Sequence, residues 1–467
     1  MAMLTTRPGS AVVTAAEMRA AEAATIAGGV SASMLMDRAA AAATRAILQF
    51  APARSALVLC GPGNNGGDGF GVAARLRAAG VEVQVAAMAM PQAQPAADFA
   101  ARWAGPIVSF ADAIPAGLIV DALFGTGLTR PLAAEVQALL DRLRAHRRTV
   151  VALDIPSGID SDTGAALGEP LAADLTVAFA ARKRGHLMGD GRRASGRLVV
   201  ADIGIDLEAS QVRQVAMPQW QPLADDIHKY QRGGVLVIAG AAQGAAQLTA
   251  LAALRSGAGA VTLAGSQQRP PADAIMMASD DEALALLGSA KIRAVAFGPG
   301  LADAQRSRDW LLRLLGGVTP LVLDAGALAL FAGPQDLFGI AVAPLVLTPH
   351  AGEFSRLFGP PGPDPVAAVR AAAIVTGGVV LLKGRETIIA APDGRVAINT
   401  HATPWLATAG SGDALTGIIA ALLAQGLTPF EAAQAGAWLH GDAGLRGGAG
   451  MIADDIPRLL PLVLADL

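Results

Sequence analysis

Asn64 and Asn65 are two of only three asparagines in 467 residues, and they stand side by side in the glycine loop Gly61-Pro-Gly-Asn-Asn-Gly-Gly-Asp-Gly-Phe-Gly71, just after the apolar run Ala56-Leu-Val-Leu-Cys60. A chain that avoids asparagine elsewhere keeps two here, which points to a need for side-chain amides. Glycines let backbone adopt positive φ and approach a ligand closely, and a helix starting at Asp68 would aim its free N–H groups at the same place. Strand, glycine loop and helix together make an anion-binding geometry, although the spacing is neither GxGxxG nor GxxxxGK[ST]. A tight turn built from Gly and Asn is the plainer alternative. Two aspartates follow at expected strand ends before glycine turns, in Asp121-Ala-Leu-Phe-Gly-Thr-Gly-Leu-Thr-Arg130 and Asp154-Ile-Pro-Ser-Gly-Ile-Asp160. A carboxylate so placed can bind a metal, orient a ribose hydroxyl or move a proton. Asn65, Asp121 and Ser157 offer hard oxygen ligands without His or Cys, a set suited to an alkali or alkaline-earth ion rather than zinc. For Asp121 alone, helix capping or turn stabilisation competes evenly with catalysis. Asp154 has the stronger functional reading because Pro156, Ser157 and Gly158 build a structured loop around it.

A second constellation lies near the other end. In Thr408-Ala-Gly-Ser-Gly-Asp-Ala-Leu-Thr-Gly417, Gly410, Ser411 and Gly412 open a strongly periodic helix with Asp413 in its first turn. Backbone N–H groups and the helix dipole there would stabilise charge on a transferring phosphoryl group, while the aspartate could deprotonate an attacking hydroxyl. An ordinary N-cap with an acidic first turn explains the short motif equally well. Context favours chemistry, because Leu382-Lys-Gly-Arg-Glu-Thr387, Leu347-Thr-Pro-His-Ala-Gly-Glu353, Phe297-Gly-Pro-Gly300 and Asp324-Ala-Gly326 all read as strand-end loops of the same half.

The elements that must position these loops are short β-type runs alternating with alanine-rich helical stretches, the pattern of α/β layers around a largely parallel sheet. In the first half the runs are Ala56–Cys60, Val81–Ala86, Gly117–Asp121, Val150–Asp154, Asp174–Phe179 and Arg197–Ala201; a polar linker is expected over Asp206–Asp226. A new series then runs from Val235–Ala239 through Val261–Ala264, Ala294–Phe297, Leu321–Asp324, Leu345–Thr348 and Val379–Lys383, followed by helices Ser411–Ala424 and Pro429–Arg446. Ligands of such sheets gather at the carboxyl ends of strands, so each half is expected to build one site from several loops.

Composition narrows the function classes. A net charge of −3 supplies no basic field for nucleic acid, and aromatics at 4% are too few for stacking platforms. The chain is 53% hydrophobic, but alanine contributes much of that, and apolar runs such as Ala245 to Ala264 are broken by polar residues and glycines, so no membrane span is expected. Met1 to Ser10 shows no signal-peptide core. A single cysteine, Cys60, excludes an internal disulfide and fits a reducing compartment. Small molecules are the expected ligands. Lysine survives only at Lys183, Lys229, Lys291 and Lys383 in an arginine-rich chain, and such positions can mark a need for a compact ammonium.

The first set of motifs, with the opening helix Thr14-Ala-Ala-Glu-Met-Arg19, Leu35-Met36 and Phe179-Ala-Ala-Arg-Lys183, resembles the NAD(P)H-hydrate epimerase domain over roughly Thr14 to Asp206. The resemblance implies a Rossmann-like three-layer α/β/α domain. In it Asn64, Asn65, Gly66, Gly67 and Asp68, with Gly125, Thr126, Gly127, Leu128, Thr129, Arg130 and Pro131, hold the hydrated nucleotide. Asn65, Asp121 and Ser157 hold K⁺, and Asp154 contacts the substrate and is the candidate for acid/base catalysis. From about Asp226 to Arg446 the chain resembles the ADP-dependent NAD(P)H-hydrate dehydratase, of the ribokinase-like α/β fold, through His228-Lys-Tyr-Gln-Arg-Gly233 and the His350, Lys383 and Asp413 motifs. That likeness implies that Lys383, Gly384, Arg385, Glu386, Thr387 and Gly412 bind ADP. Ala245, Gly300, His350 and Asp413 then contact the hydrate, and Asp413 activates its 6-hydroxyl for phosphorylation with Mg²⁺ shielding the phosphates. The chain departs from the family pattern in the short loop Gly240–Ala245 and in Trp405 and Ala409, which stand where glycines are usual.

Two domains, 1–218 and 219–467, are therefore expected to epimerise and then dehydrate hydrated NADH and NADPH (NADHX and NADPHX), in a cytoplasmic homo-oligomer. A ribokinase-like kinase for a vitamin precursor is weighed against this, as is a first domain that serves only as a binding module. The histidine loop and the Lys383–Thr387 turn argue against the kinase, and the joint presence of Asn65, Asp121 and Asp154 argues against the scaffold.

Overall fold

The computed structural model describes residues 4–6, 8–221, 223, 225–333 and 341–467. They form two compact units, 11–210 and 211–467, the latter joined by the first ten residues of the chain. Pro222, in the expected linker, lies outside the described residues.

The unit 11–210 is built on a seven-stranded, wholly parallel sheet in the order Arg197–Ala201, Leu175–Phe179, Thr149–Leu153, Leu118–Ala122, Ser55–Cys60, Glu82–Ala87, Ile107–Val108. Successive side chains of a strand point to opposite faces, and both faces here are apolar. Val58 and Cys60 pack with Phe70, Val72 and Met36 from the helices Asn64–Ala78 and Ala32–Phe50. Leu57 and Leu59 pack with Val136, Leu139 and Leu143 of the helix Ala134–Arg144. This is the three-layer α/β/α arrangement expected. The chain starts at the sheet centre with Ser55–Cys60, winds outward to Ile107–Val108, then returns to the other side of the first strand at Leu118–Ala122. The crevice at the carboxyl ends of those two central strands is the topological switch point, where open α/β sheets bind ligands.

The other unit carries a ten-stranded sheet in the order Val212–Gln214, Val396–Asn399, Thr387–Ala390, Val379–Leu382, Leu345–Leu347, Leu321–Leu323, Ala294–Phe297, Gly234–Ile238, Ala260–Ala264, Ile275–Ala278. It is parallel except where Thr387–Ala390 pairs antiparallel with both neighbours. One face is covered by the helices Gln243–Arg255, Ser411–Ala424 and Pro429–Gly447. Every residue of Ser411–Ala424 is buried except Gly412 and Asp413. A helix apolar all round belongs in a core, and this one leaves only its first turn open.

Two expectations need correction. The segment 206–226 is no free linker, because Val212–Gln214 joins the ten-stranded sheet beside Val396–Asn399 and Gln219–Trp220 pairs with Leu4–Thr5. Edge strands of two or three residues are held by backbone hydrogen bonds and carry too little apolar periodicity to be read in advance. The helix after the glycine loop begins at Asn64, a turn before Asp68, with Gly63 as N-cap. Its glycines are not there for positive φ: a Cβ at Gly66 would lie 1.8 Å from the Gly61 carbonyl oxygen and one at Gly69 2.6 Å from the Ala122 Cβ, so they let the helix lie directly on the strands.

Candidate functional site

At the switch point of the first unit a cavity of about 400 Å³ is lined by Asn64, Asn65, Asp68, Gly125, Thr126, Gly127, Leu128, Asp154 and Lys183, together with Met18, Arg19 and Glu22 from the opening helix. Expected site residues from three loops thus meet. Gly66 and Gly67 are buried inside the helix, whereas Thr129, Arg130 and Pro131 are exposed and stand outside this lining.

Asp154 follows its strand with φ +63°, a left-handed conformation that few non-glycine residues adopt, and its N–H donates to the Val177 carbonyl at 2.8 Å. Its Oδ1 is in contact with Nζ of Lys183, a lysine only 1% exposed. Nζ also donates to the Phe179 carbonyl at 2.9 Å, and the Thr126 N–H donates to Asp154 Oδ2 at 3.3 Å. Burial pushes the Asp154 carboxyl up, but the charge and hydrogen bond of Lys183 more than reverse this and hold it below its ordinary value. The Lys183 N–H donates to His186 Nδ1 at 2.9 Å, which leaves Nε2–H to donate to the Asp154 carbonyl at 2.7 Å. Burial, and then Lys183, push that imidazole down to about 4, so it stays neutral.

Asp68 lines the same cavity and forms no ion pair among the described residues. Burial first, then the charges of Asp154 and Glu22, raise its carboxyl well above the ordinary range. Glu22 is raised too, by burial and by Asp154. Two carboxyls in one cavity are thereby driven apart, Asp154 toward the ionised form and Asp68 toward the protonated one.

Behind the loop Leu123–Gly125, Asp121 Oδ1 accepts from the Ser157 hydroxyl at 2.6 Å and from the Leu123 N–H at 3.2 Å, and Oδ2 accepts from the Ser157 N–H at 2.8 Å. Burial raises this carboxyl against the pull of Ser157. It has no ion-pair partner among the described residues, and the Asn65 amide has neither its oxygen nor its nitrogen paired although both are buried. A lone buried carboxylate and an unpaired amide are costly unless a cation joins them, so Asn65, Asp121 and Ser157 fit a K⁺ ion chemically.

In the second unit the strand-end loops converge on the open first turn of the helix Ser411–Ala424. Gly410, its N-cap, has φ +90°. A Cβ at Gly412 would lie 3.2 Å from Lys383 Nζ. Burial, then the charge of Asp324, lift Asp413 to about 6, with Lys383 opposing. The Thr249 hydroxyl stands 3.0 Å from the carbonyls of both Ala245 and Asp413, and the Ala242 N–H donates to the Gly300 carbonyl at 3.0 Å, which draws those loops together. Lys383 joins His350 through a parallel bridge, its N–H donating to the Pro349 carbonyl at 2.8 Å. The turn continues through Gly384 and the Arg385–Glu386 ion pair to Thr387, which opens the next strand. His350 has a local task in this structure: its Nδ1 accepts from the N–H groups of Gly352 and Glu353, capping the helix Ala351–Phe358, and its side chain is 61% exposed. Trp405 is half-exposed. The described residues hold no cluster of three or more His, Cys, Asp or Glu able to bind a metal, and none of their helices is long and apolar enough to cross a membrane.

Lys183 stands out in the sequence as a rare lysine and Asp324 as the start of a strand-end loop, but neither is given a role there, and Glu22, His186, Thr249 and His440 are not singled out as site residues. Lys183 carries the signal of its survival in an arginine-rich chain and Asp324 that of its strand-end position; the other four come from distant elements and share no local motif.

Comparison with known proteins gives matches along nearly the whole chain. A family profile described as NAD(P)H-hydrate dehydratase matches residues 235–457, and one described as YjeF-related protein N-terminus matches residues 32–185. A bifunctional NAD(P)H-hydrate repair enzyme of Moorella thermoacetica is 38% identical, with 89% of this chain and 88% of that protein covered. One from Salinibacter ruber is also 38% identical, over 88% and 87%. Among solved structures, an ADP/ATP-dependent NAD(P)H-hydrate dehydratase from Bacillus subtilis, co-crystallised with ATP and Mg²⁺, is 30% identical with a TM-score of 0.47, covering 52% of this chain and 93% of that one.

Proposed function

Because this chain belongs to the bifunctional NAD(P)H-hydrate repair enzymes, we propose that its two sheets carry two successive repair activities. The Rossmann-like unit interconverts the R and S forms of hydrated NADH and NADPH. The ribokinase-like unit dehydrates the S form with ADP as phosphoryl donor, giving the reduced nucleotide, AMP and phosphate. The observation that carries this reading is the presence of two carboxylate sites on one chain, one with Asp154 held ionised by its ion pair to Lys183 and the other with Asp413 lifted to about 6 beside the Asp324–Lys383 pair.

Epimerisation at the hydrated ring carbon needs a proton donor as the hydroxyl leaves as water, and an acceptor when water returns on the opposite face. Asp68, kept protonated by burial beside Asp154, supplies the donor. Asp154, held ionised by Lys183, supplies the acceptor. Asn64 to Asp68 and Gly125 to Pro131 seat the nucleotide. Asn65, Asp121 and Ser157 would hold K⁺, whose charge would compensate the buried carboxylate.

In the second site Asp413 takes the proton of the 6-hydroxyl as that oxygen attacks the terminal phosphoryl group of ADP, and a carboxylate with a pKa near 6 suits a base working near neutral pH. Lys383 to Thr387 and Gly412 receive the nucleotide, and the first-turn N–H groups stabilise the phosphoryl oxygens. Ala245, Gly300 and His350 would contact the hydrate beside Asp413. Mg²⁺ would enter with the nucleotide, held mainly by phosphate and water, and would neutralise phosphate charge. We place the enzyme in the cytoplasm as a homo-oligomer, the first on the reducing-compartment reading of its one cysteine.

The test supplies mixed R and S NADH hydrate with ADP and Mg²⁺ and follows reduced-nicotinamide absorbance. Complete recovery is expected; recovery that stops at the S fraction removes the epimerase, and no recovery removes the dehydratase. Asp413→Asn is expected to abolish recovery while R and S forms still interconvert.

A further inference from the structure

Asp324 follows the strand Leu321–Leu323 and is 1% exposed. Its two carboxylate oxygens serve two different elements. Oδ1 accepts from Lys383 Nζ at 2.7 Å, at the end of Val379–Leu382, and Oδ2 accepts from the Thr416 hydroxyl at 2.8 Å, on the helix Ser411–Ala424. Ala325, which follows, has φ +46°, so the backbone that presents this carboxylate is held in a conformation non-glycine residues rarely take. The pair lies directly under the catalytic turn: a Cβ at Gly412 would meet Lys383 Nζ at 3.2 Å and Asp324 Oδ2 at 3.7 Å. Thr416 stands three residues after Asp413, one helical turn on the same side.

We propose that Asp324 is a positioning residue of the second site, one that locks the Lys383 ammonium and the first turn of the Asp413 helix into a single arrangement and sets how readily Asp413 takes up a proton. The inference rests on the dehydratase reading of that site. Among the described residues two charged groups act on Asp413, and one imidazole contacts the first residue of its helix. Asp324 from one strand end favours its protonated form, and Lys383 from another favours its ionised form. His440, from the helix Pro429–Gly447, places Nε2 2.9 Å from the Ser411 hydroxyl and 3.0 Å from the Ser411 carbonyl. Burial drives His440 down to about 4, so it adds no charge near neutral pH. Burial gives Asp413 its largest upward push, and the Asp324–Lys383 pair sets the charge balance on top of it. A purely structural ion pair would contribute stability and leave that balance alone.

The two partners give opposite signs when removed. In the full chain supplied with S hydrate, ADP and Mg²⁺, the acid limb of the kcat/KM profile is expected to move to lower pH by about one unit in Asp324→Asn, since a repulsive charge goes and Lys383 is left unneutralised. In Lys383→Met the limb moves to higher pH. Thr416→Val keeps both charges, so its limb stays in place while kcat falls several-fold from a loosened first turn. If Asp324→Asn proves inactive, the direction of the Lys383→Met shift decides. A limb that stays fixed in both charge variants, or moves the same way in both, with only thermal stability altered, overturns the proposal. Absence of S-hydrate turnover in the unmodified protein is a separate result that removes the dehydratase reading itself.

Discussion

Lys183 and Asp154 form an ion pair inside the first unit, the ammonium contacting Oδ1 while its side chain is 1% exposed. Removing one partner of such a pair strands a buried charge, at about 3–5 kcal/mol. Lys183→Met is therefore expected to destabilise the first unit by that order and to slow recovery of R hydrate to its spontaneous rate, while Lys183→Met with Asp154→Leu regains much of the stability and none of the activity. Denaturant unfolding checks the first part and R-hydrate recovery the second. Because Asp154 is depressed in the folded state, the stability it contributes is present above its ordinary value of about 3.9 and is lost as pH falls through the lower folded one.

Asp68 carries the opposite sign. Its folded pKa is raised, so it contributes fully below the ordinary carboxylate value and loses that contribution as pH climbs through the folded value. Asp68→Asn should raise the Tm of the first unit at pH 8, with the gain shrinking to nothing below about pH 4. The same variant should leave R hydrate to epimerise at its spontaneous rate, a loss of about a hundredfold or more if a general acid is removed. A Tm gain independent of pH would refute the protonation assigned to Asp68.

Among the described residues the amide of Asn65 has no partner for either of its polar atoms. If K⁺ is that partner, adding K⁺ should raise the Tm of the unmodified protein by mass action, and Asn65→Leu should abolish the response without lowering the Tm measured in choline salts. Calorimetry in matched KCl and choline chloride decides this, and an identical K⁺ response in the variant would remove Asn65 from the ion site.

Gly63, the N-cap of the helix Asn64–Ala78, and Gly66, in its first turn, sit three residues apart yet should answer differently to alanine. A Cβ at Gly63 meets nothing within 4 Å, whereas one at Gly66 would lie 1.8 Å from the Gly61 carbonyl oxygen. Gly66→Ala is expected to cost about 1–3 kcal/mol or more through a forced backbone shift, and Gly63→Ala is expected to leave unfolding unchanged. Equal effects in a thermal melt would contradict this packing of loop on strand.

Much of the architecture was legible from the chain alone. Arg197–Ala201, Ala294–Phe297 and Ser411–Ala424 fall where their apolar runs placed them, because period-2 and helical patterns are local properties of sequence. The short paired strands Leu4–Thr5 and Gln219–Trp220 were not legible, since what defines them is a backbone pairing between segments more than two hundred residues apart.

The candidate sites divide along the same line. By itself the sequence determined which residue types stand at strand ends and helix starts: the paired asparagines, the aspartates at 121, 154 and 413, and the two lysines at 183 and 383. Only the tertiary structure decided their states. Among the described residues it gave Lys183 to Asp154 and Asp68 no cation, it left the Asn65 amide unpaired, and it set Asp324 close to the first turn that carries Asp413. A carboxylate's protonation depends on charge and burial within a few ångströms, and those neighbours arrive from elements tens of residues away.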